Sequence, residues 1–252
     1  SAAQRAATTP PPSSAPSESS AKTEIETATQ ESVVDAAEPR ERGDAGLERL
    51  AALPADQQLP NGRWKAGAHY MPLVPAQPTN VGAGEVEIVE VMWYSCNHCY
   101  ALEPFLESWD KNNAEYIKLV KMPVVWSPGH RPEARLFYTL EALGRRNLHQ
   151  NVYESIHQRG KRMLGTSEAA TQKLHVDFAK ANGIDEKQFL QAYNSFSVSS
   201  NLTRAERLTN SYRVPGTPYF VVNGKYTTDV SMAGGQTQLL ALLTDLAASE
   251  KR

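Results

Sequence analysis

Two cysteines stand three apart in Cys96-Asn97-His98-Cys99, and they are the only cysteines in the 252-residue chain. Sulfurs at this spacing can close a small disulfide ring and reopen it. A zinc site would need four ligands, usually a second Cys pair or regularly spaced histidines. There is no second pair, and His69, His130, His149, His157 and His175 are scattered without ligand spacing. An inert thiol pair is the bland alternative. Position favours chemistry, because the motif follows an apolar run, Val86 to Tyr94, and opens a helical pattern. Unpaired backbone N–H groups and the positive end of the helix dipole then favour a thiolate at Cys96. The thiolate is the reactive form.

The elements that must position this pair follow from residue patterns. Glu85 to Tyr94 is rich in β-branched and aromatic residues and reads as a strand. Asn97 to Asn112 reads as a helix with Leu102, Phe105, Leu106 and Trp109 on one face, and Pro104 is expected to kink it. Tyr116 to Val125 reads as a second strand, which makes a parallel βαβ unit. From Pro132 to about Arg207 only helical periodicity appears. Strand character returns at Tyr219 to Val222; Asn223-Gly224 signals a hairpin, and Gln236 to Ala248 reads as an amphipathic helix. An edge strand is expected over Lys65 to Leu73. The fold class is α/β, with a helical block set between a βαβ half and a ββα half.

Residues 1–61 read as a flexible tail, since the stretch is dominated by Ala, Pro, Ser and Thr and cannot offset its own ordering entropy. Residues 1–60 carry 5 Lys/Arg against 10 Asp/Glu, and the remainder 21 against 18. Such a tail suits a domain held off a membrane, and an idle terminal extension reads equally well. A start at Ser1 rather than Met is expected of a processed chain. The formal charge of −2 shows no basic excess toward nucleic acid, and no run of 18 apolar residues suggests a spanning helix.

Taken together, these features resemble the thioredoxin superfamily and, within it, the DsbA-type thiol:disulfide oxidoreductases. The resemblance rests on the Cys-x-His-Cys after a strand, on the helical insertion, and on Val214-Pro215-Gly216-Thr217-Pro218 just before a strand. It rests also on Glu90, six residues before Cys96, and Lys121 on the next strand. It covers about residues 62–250. It implies a thioredoxin-like domain over 62–131 and 208–252, with an inserted helical domain over 132–207.

The resemblance implies roles as well. Cys96 is the exchanging sulfur and Cys99 the resolving thiol. His98 is expected to donate a hydrogen bond or charge to the Cys96 thiolate. Asn97 stands where the best-known members carry proline, and this dipeptide tunes the redox potential. A cis bond at Thr217-Pro218 would offer substrate a backbone edge to pair with. Threonine at 217 resembles the disulfide isomerase branch, where many DsbA proteins have valine. Glu90 and Lys121 are expected to pair beneath the disulfide and accept a proton from Cys99; a buried structural ion pair is the alternative.

The activity implied is donation of the Cys96-Cys99 disulfide to newly exported polypeptides in the bacterial periplasm. Reoxidation would come from a DsbB-like membrane partner. The chain is expected to act as a monomer, with no cofactor beyond its redox disulfide and no metal. A disulfide isomerase or reductase, or a peptide-binding chaperone without redox turnover, are the other readings.

Overall fold

The structure is a computed structural model and describes residues 62–251; the expected tail, 1–61, lies outside the described residues. A five-stranded sheet runs in the order β1-β5-β4-β2-β3. Its strands are β1 (Met71–Pro72), β2 (Val86–Met92), β3 (Ile117–Pro123), β4 (Tyr219–Val222) and β5 (Tyr226–Thr228). Helix α1 (Asn97–Asn112) links β2 to β3, which pair in parallel, as a crossover helix permits. The interior strand β2, between β4 and β3, is buried along its whole length, which suits its run of Val and Ile.

Between β3 and β4 the described residues form only helices. They are α2 (Arg131–Ala142), α3 (His149–His157), α4 (Glu168–Ala181), α5 (Glu186–Tyr193) and α6 (Phe196–Ser211), with two short 3₁₀ turns before α2 and α3. Polar caps mark their starts: Ser167, Asp185 and Ser195 accept from the backbone N–H of Ala170, Gln188 and Val198. The chain closes with α7 (Val230–Ala233) and α8 (Gln236–Glu250).

Both faces of the sheet are covered. Val86 and Ile88 on one face pack with Leu102 and Leu106 of α1 and Leu239, Leu242 and Leu243 of α8. On the other, Val89 and Val91 pack with Val198, Leu202 and Ala205 of α6. A third cluster joins Met92, Tyr94 and Cys99 to Leu136, Phe137, Leu140, Val152 and Tyr153 of the insertion. The redox pair therefore lies on the seam between sheet and insertion.

The hairpin expected at Asn223-Gly224 is present, with positive φ at both residues (48° and 64°). A Cβ on Gly224 would come within 1.9 Å of the Gln77 carbonyl oxygen, so no other residue fits. The edge strand expected over Lys65 to Leu73 shrinks to Met71–Pro72, plus an isolated Ala66–Tyr70 bridge. A turn explains the loss: Gly67 has a φ of 80° and donates to the Tyr70 carbonyl. Helix α1 runs through Pro104 as one element.

Candidate active site

The strand-to-helix junction explains how Cys96 is delivered. Strand β2 stops at Met92, and a turn closes where the Cys96 N–H donates to the Trp93 carbonyl at 3.0 Å. Cys96 is then the N-cap of α1, in extended backbone (φ −84°, ψ 114°). Its sulfur accepts from the Cys99 backbone N–H at 3.4 Å and, as a thiol, donates to the Thr217 carbonyl at 3.3 Å. The Thr217–Pro218 bond is cis. That geometry sets the Thr217 carbonyl beside the sulfur from an element 121 residues away in sequence.

Two sulfurs of one motif are driven in opposite directions. The Cys96 thiol is lowered to about 5, chiefly by a hydrogen bond from the Cys99 thiol. The Thr217 side chain and the backbone N–H groups of Cys99 and His98 add to this, against the opposing effect of partial burial. Cys99 is fully buried, and burial pushes its thiol far up; its hydrogen bond to Cys96 and the nearby Glu90 push the same way. Both cysteines are free thiols here, so this is the dithiol state. A half-buried thiolate beside a buried thiol is arranged to exchange at the first sulfur and resolve at the second.

Beneath the pair, Glu90 is fully buried, and neither carboxylate oxygen has a hydrogen-bond partner. Burial raises it to about 8; Lys121 pulls it down, while Glu103 and Cys96 push it up. Glu90 and Lys121 are register partners on β2 and β3. The hydrogen-bonded ion pair expected between them is nevertheless absent: the Lys121 ammonium bonds to Glu103 Oε1. Helix α1 lies across the two strands and brings Glu103 to the ammonium, leaving Glu90 linked to Lys121 through space. Burial lowers the lysine, but Glu90 and Glu103 more than offset it, and it is held above the usual range.

The family whose profile matches residues 87–247 is described as a DSBA-like thioredoxin domain. The chain belongs to this family. It is 34% identical over 189 residues to the thiol:disulfide interchange protein DsbA of Pseudomonas aeruginosa, spanning 75% of this chain and 86% of that protein. The DsbA of Azotobacter vinelandii is 35% identical over 211 residues, or 82% and 94% of the two chains. The crystal structure of Pseudomonas aeruginosa DsbA superposes with a TM-score of 0.67 at 34% identity, covering 74% of this chain and 94% of that one. The chain is accordingly a thiol:disulfide oxidoreductase with a thioredoxin-like fold and a helical insertion, working by dithiol–disulfide exchange.

Within this DsbA-type site, the structure brings Cys96, Cys99, Thr217 and Pro218 together and sets Glu90 and Lys121 under them. Asn97 and His98 lie exposed at the rim. The His98 ring does not hydrogen-bond the sulfur as expected; at the second position of the helix it points to solvent, and its backbone N–H acts instead. With Ala101, Pro215, Thr217, Pro218 and Tyr219 it borders an open groove of about 520 Å³ next to Cys96. Sequence reasoning missed Glu103. Its signal was there: on α1 the residue shares a face with Cys99, Leu102 and Leu106, a carboxylate inside a buried stripe. Also missed were the cis Val74–Pro75 bond and the polar contacts the insertion makes with Tyr94 and Ser95.

Proposed function

We propose that this chain is an oxidant: it donates the Cys96–Cys99 disulfide to newly exported polypeptides in the bacterial periplasm. The observation that carries this reading is the depressed thiolate at Cys96, which stabilises the reduced dithiol and so makes the disulfide easy to give away.

In the forward step a substrate thiolate attacks Cys96 Sγ. The Cys96–Cys99 bond breaks, a mixed disulfide forms at Cys96, and Cys99 leaves as a thiolate. Burial makes that thiolate costly, so it takes a proton at once. Glu90, raised to about 8 by burial, is the nearby carboxyl able to hold one and give it up. A second substrate thiolate then attacks the substrate sulfur. Its attack releases Cys96 as the stabilised thiolate and forms the substrate disulfide. The Thr217 carbonyl, which lies beside Cys96 Sγ at the edge of the groove, is an acceptor with which an extended substrate backbone can pair. No cofactor beyond the cysteine pair is required by these steps. The reduced dithiol returns to the disulfide through a DsbB-like membrane partner, and the chain acts as a monomer.

Thr217 bears on the isomerase alternative. Its side chain favours the Cys96 thiolate, which strengthens oxidation and sides with donation over reduction. Equilibration of the Cys96/Cys99 couple with glutathione tests the proposal. A potential well above that of thioredoxin, about −270 mV, is expected, and one at or below that value refutes an oxidant.

A further inference from the structure

The turn that aims Cys96 is held from outside the thioredoxin-like domain. Tyr94 and Ser95 are its two central residues. The helical insertion fastens them at three atoms in all, two on Tyr94 and one on Ser95. The Tyr94 backbone carbonyl accepts from His157 Nε2–H at 2.7 Å, which fixes that ring's tautomer. The Tyr94 hydroxyl bonds His149 Nδ1 at 2.5 Å, while His149 Nε2–H donates to Glu141 at 2.9 Å. The Ser95 hydroxyl donates to the buried carboxylate of Glu133 at 2.6 Å.

These partners are themselves held. Phe137 stacks on the His149 ring at 4.4 Å, and Arg146 donates to the other oxygen of Glu141 at 2.9 Å. His157 stacks on Tyr100, the residue after Cys99, with ring centroids 4.9 Å apart and planes 9° from parallel. His157 therefore touches both flanks of the Cys-x-x-Cys segment. Glu133 lies on α2, His149 opens α3 and His157 closes it, so the attachment points are spread over two helices.

We propose that the insertion aims the reactive sulfur: Glu133, His149 and His157 are positioning residues that clamp the Tyr94–Ser95 turn and thereby set the reactivity of Cys96. The physical reason is directional. The hydrogen bond that Cys96 Sγ accepts comes from the Cys99 backbone N–H at the start of α1, and the Thr217 side chain favours the thiolate from the other side. Both act together only if the sulfur stays where the turn delivers it. A slackened turn lets the sulfur drift, loses part of that set, and weakens the thiolate. The inference rests on Cys96 being the exchanging sulfur.

The test compares His157→Phe with His157→Gln in the full chain. Phenylalanine keeps a ring against Tyr100 and removes the N–H donor; glutamine restores a donor. Three readouts are taken: thiolate absorbance of Cys96 against pH, the equilibrium constant with glutathione, and the urea midpoint. Losing one net hydrogen bond corresponds to about a threefold change or more. His157→Phe should therefore raise the Cys96 titration by about half a unit and make the disulfide a correspondingly weaker oxidant. His157→Gln should recover part of both. If His157→Phe does not fold, Tyr94→Phe, which removes only the bond to His149, carries the same expectation. Folded variants with the wild-type titration and equilibrium constant overturn the clamp, whatever happens to the urea midpoint. A wild-type protein without a thiolate at neutral pH would instead overturn the reading beneath it.

Discussion

The charge on Cys96 should make the stability gap between the reduced and oxidised proteins depend on pH. A thiol titrates near 8.5 in an unfolded chain and near 5 in this fold. Between those values the unfolded reduced chain holds a proton that the folded one has released, so the stability of the reduced form rises with pH over that window. The contribution is complete above about 8.5 and lost as pH falls through about 5. From pH 4 to pH 7 it amounts to about two pH units, or about 2.7 kcal/mol. Cys96 is only half buried, and solvent screening reduces this to about 1.4 kcal/mol. The oxidised protein has no Cys96 thiol. Other carboxylates titrate in both forms, so the difference between the two urea unfolding curves isolates the sulfur. Glu90 is the exception, because the Cys96 charge raises it, and repeating the measurement in Glu90→Gln removes that contribution. The gap should open by about 1.4 kcal/mol or more between pH 4 and pH 7. A gap that stays constant across this range refutes the thiolate argument, and with it the reason given for oxidising power.

Further expectations concern the charges beneath the pair. Glu90→Gln should slow the proton-coupled exchange at Cys99 by roughly 10²-fold in stopped-flow measurements, while leaving the thiolate at Cys96 in place. Because burial raises Glu90 to about 8, the folded state keeps a proton the unfolded state gives up, and stability declines as pH rises toward 8; the glutamine variant should flatten this decline in urea midpoints. Lys121→Met should cost about 3–5 kcal/mol at neutral pH, because it strands the buried Glu103 carboxylate and removes the cation acting on Glu90. A variant as stable as wild type in urea unfolding would show that the pair contributes nothing.

Local patterns were legible where local physics decides. The Val/Ile run of β2, the start of α1 at Asn97 and the Asn223-Gly224 hairpin all follow from neighbours in sequence, and all stand within a residue or two of expectation. The Lys65 to Leu73 segment misled because its alternation is interrupted by a glycine turn that only pairing with β5 resolves. The cis Thr217–Pro218 bond followed from the family resemblance, since proline alone does not specify it. Partner choice among buried charges was not legible. Lys121 has Glu90 beside it in register and Glu103 above it on the crossover helix, and the hydrogen bond goes to the helix. Nothing along the chain ranks those two, because the packing of α1 on the sheet decides it.

The asymmetry between the two cysteines comes from where the elements meet. Cys96 ends a turn whose centre is held by the insertion and whose sulfur faces Thr217 from the ββα half. Cys99, one helical turn on, sinks into the cluster shared by sheet and insertion, over a carboxylate that has no hydrogen-bond partner. A thioredoxin-like βαβ unit alone would supply the helix N-terminus to both. The insertion adds the packing against one sulfur and the bonds to the turn that carries the other, so the helical block borders the redox pair as directly as the strand does. Because insertion residues pack against Cys99 and bond Tyr94, replacing Leu136 with alanine should make Cys99 more accessible to thiol-modifying reagents in the reduced protein, and an unchanged modification rate would show that the insertion does not shield it.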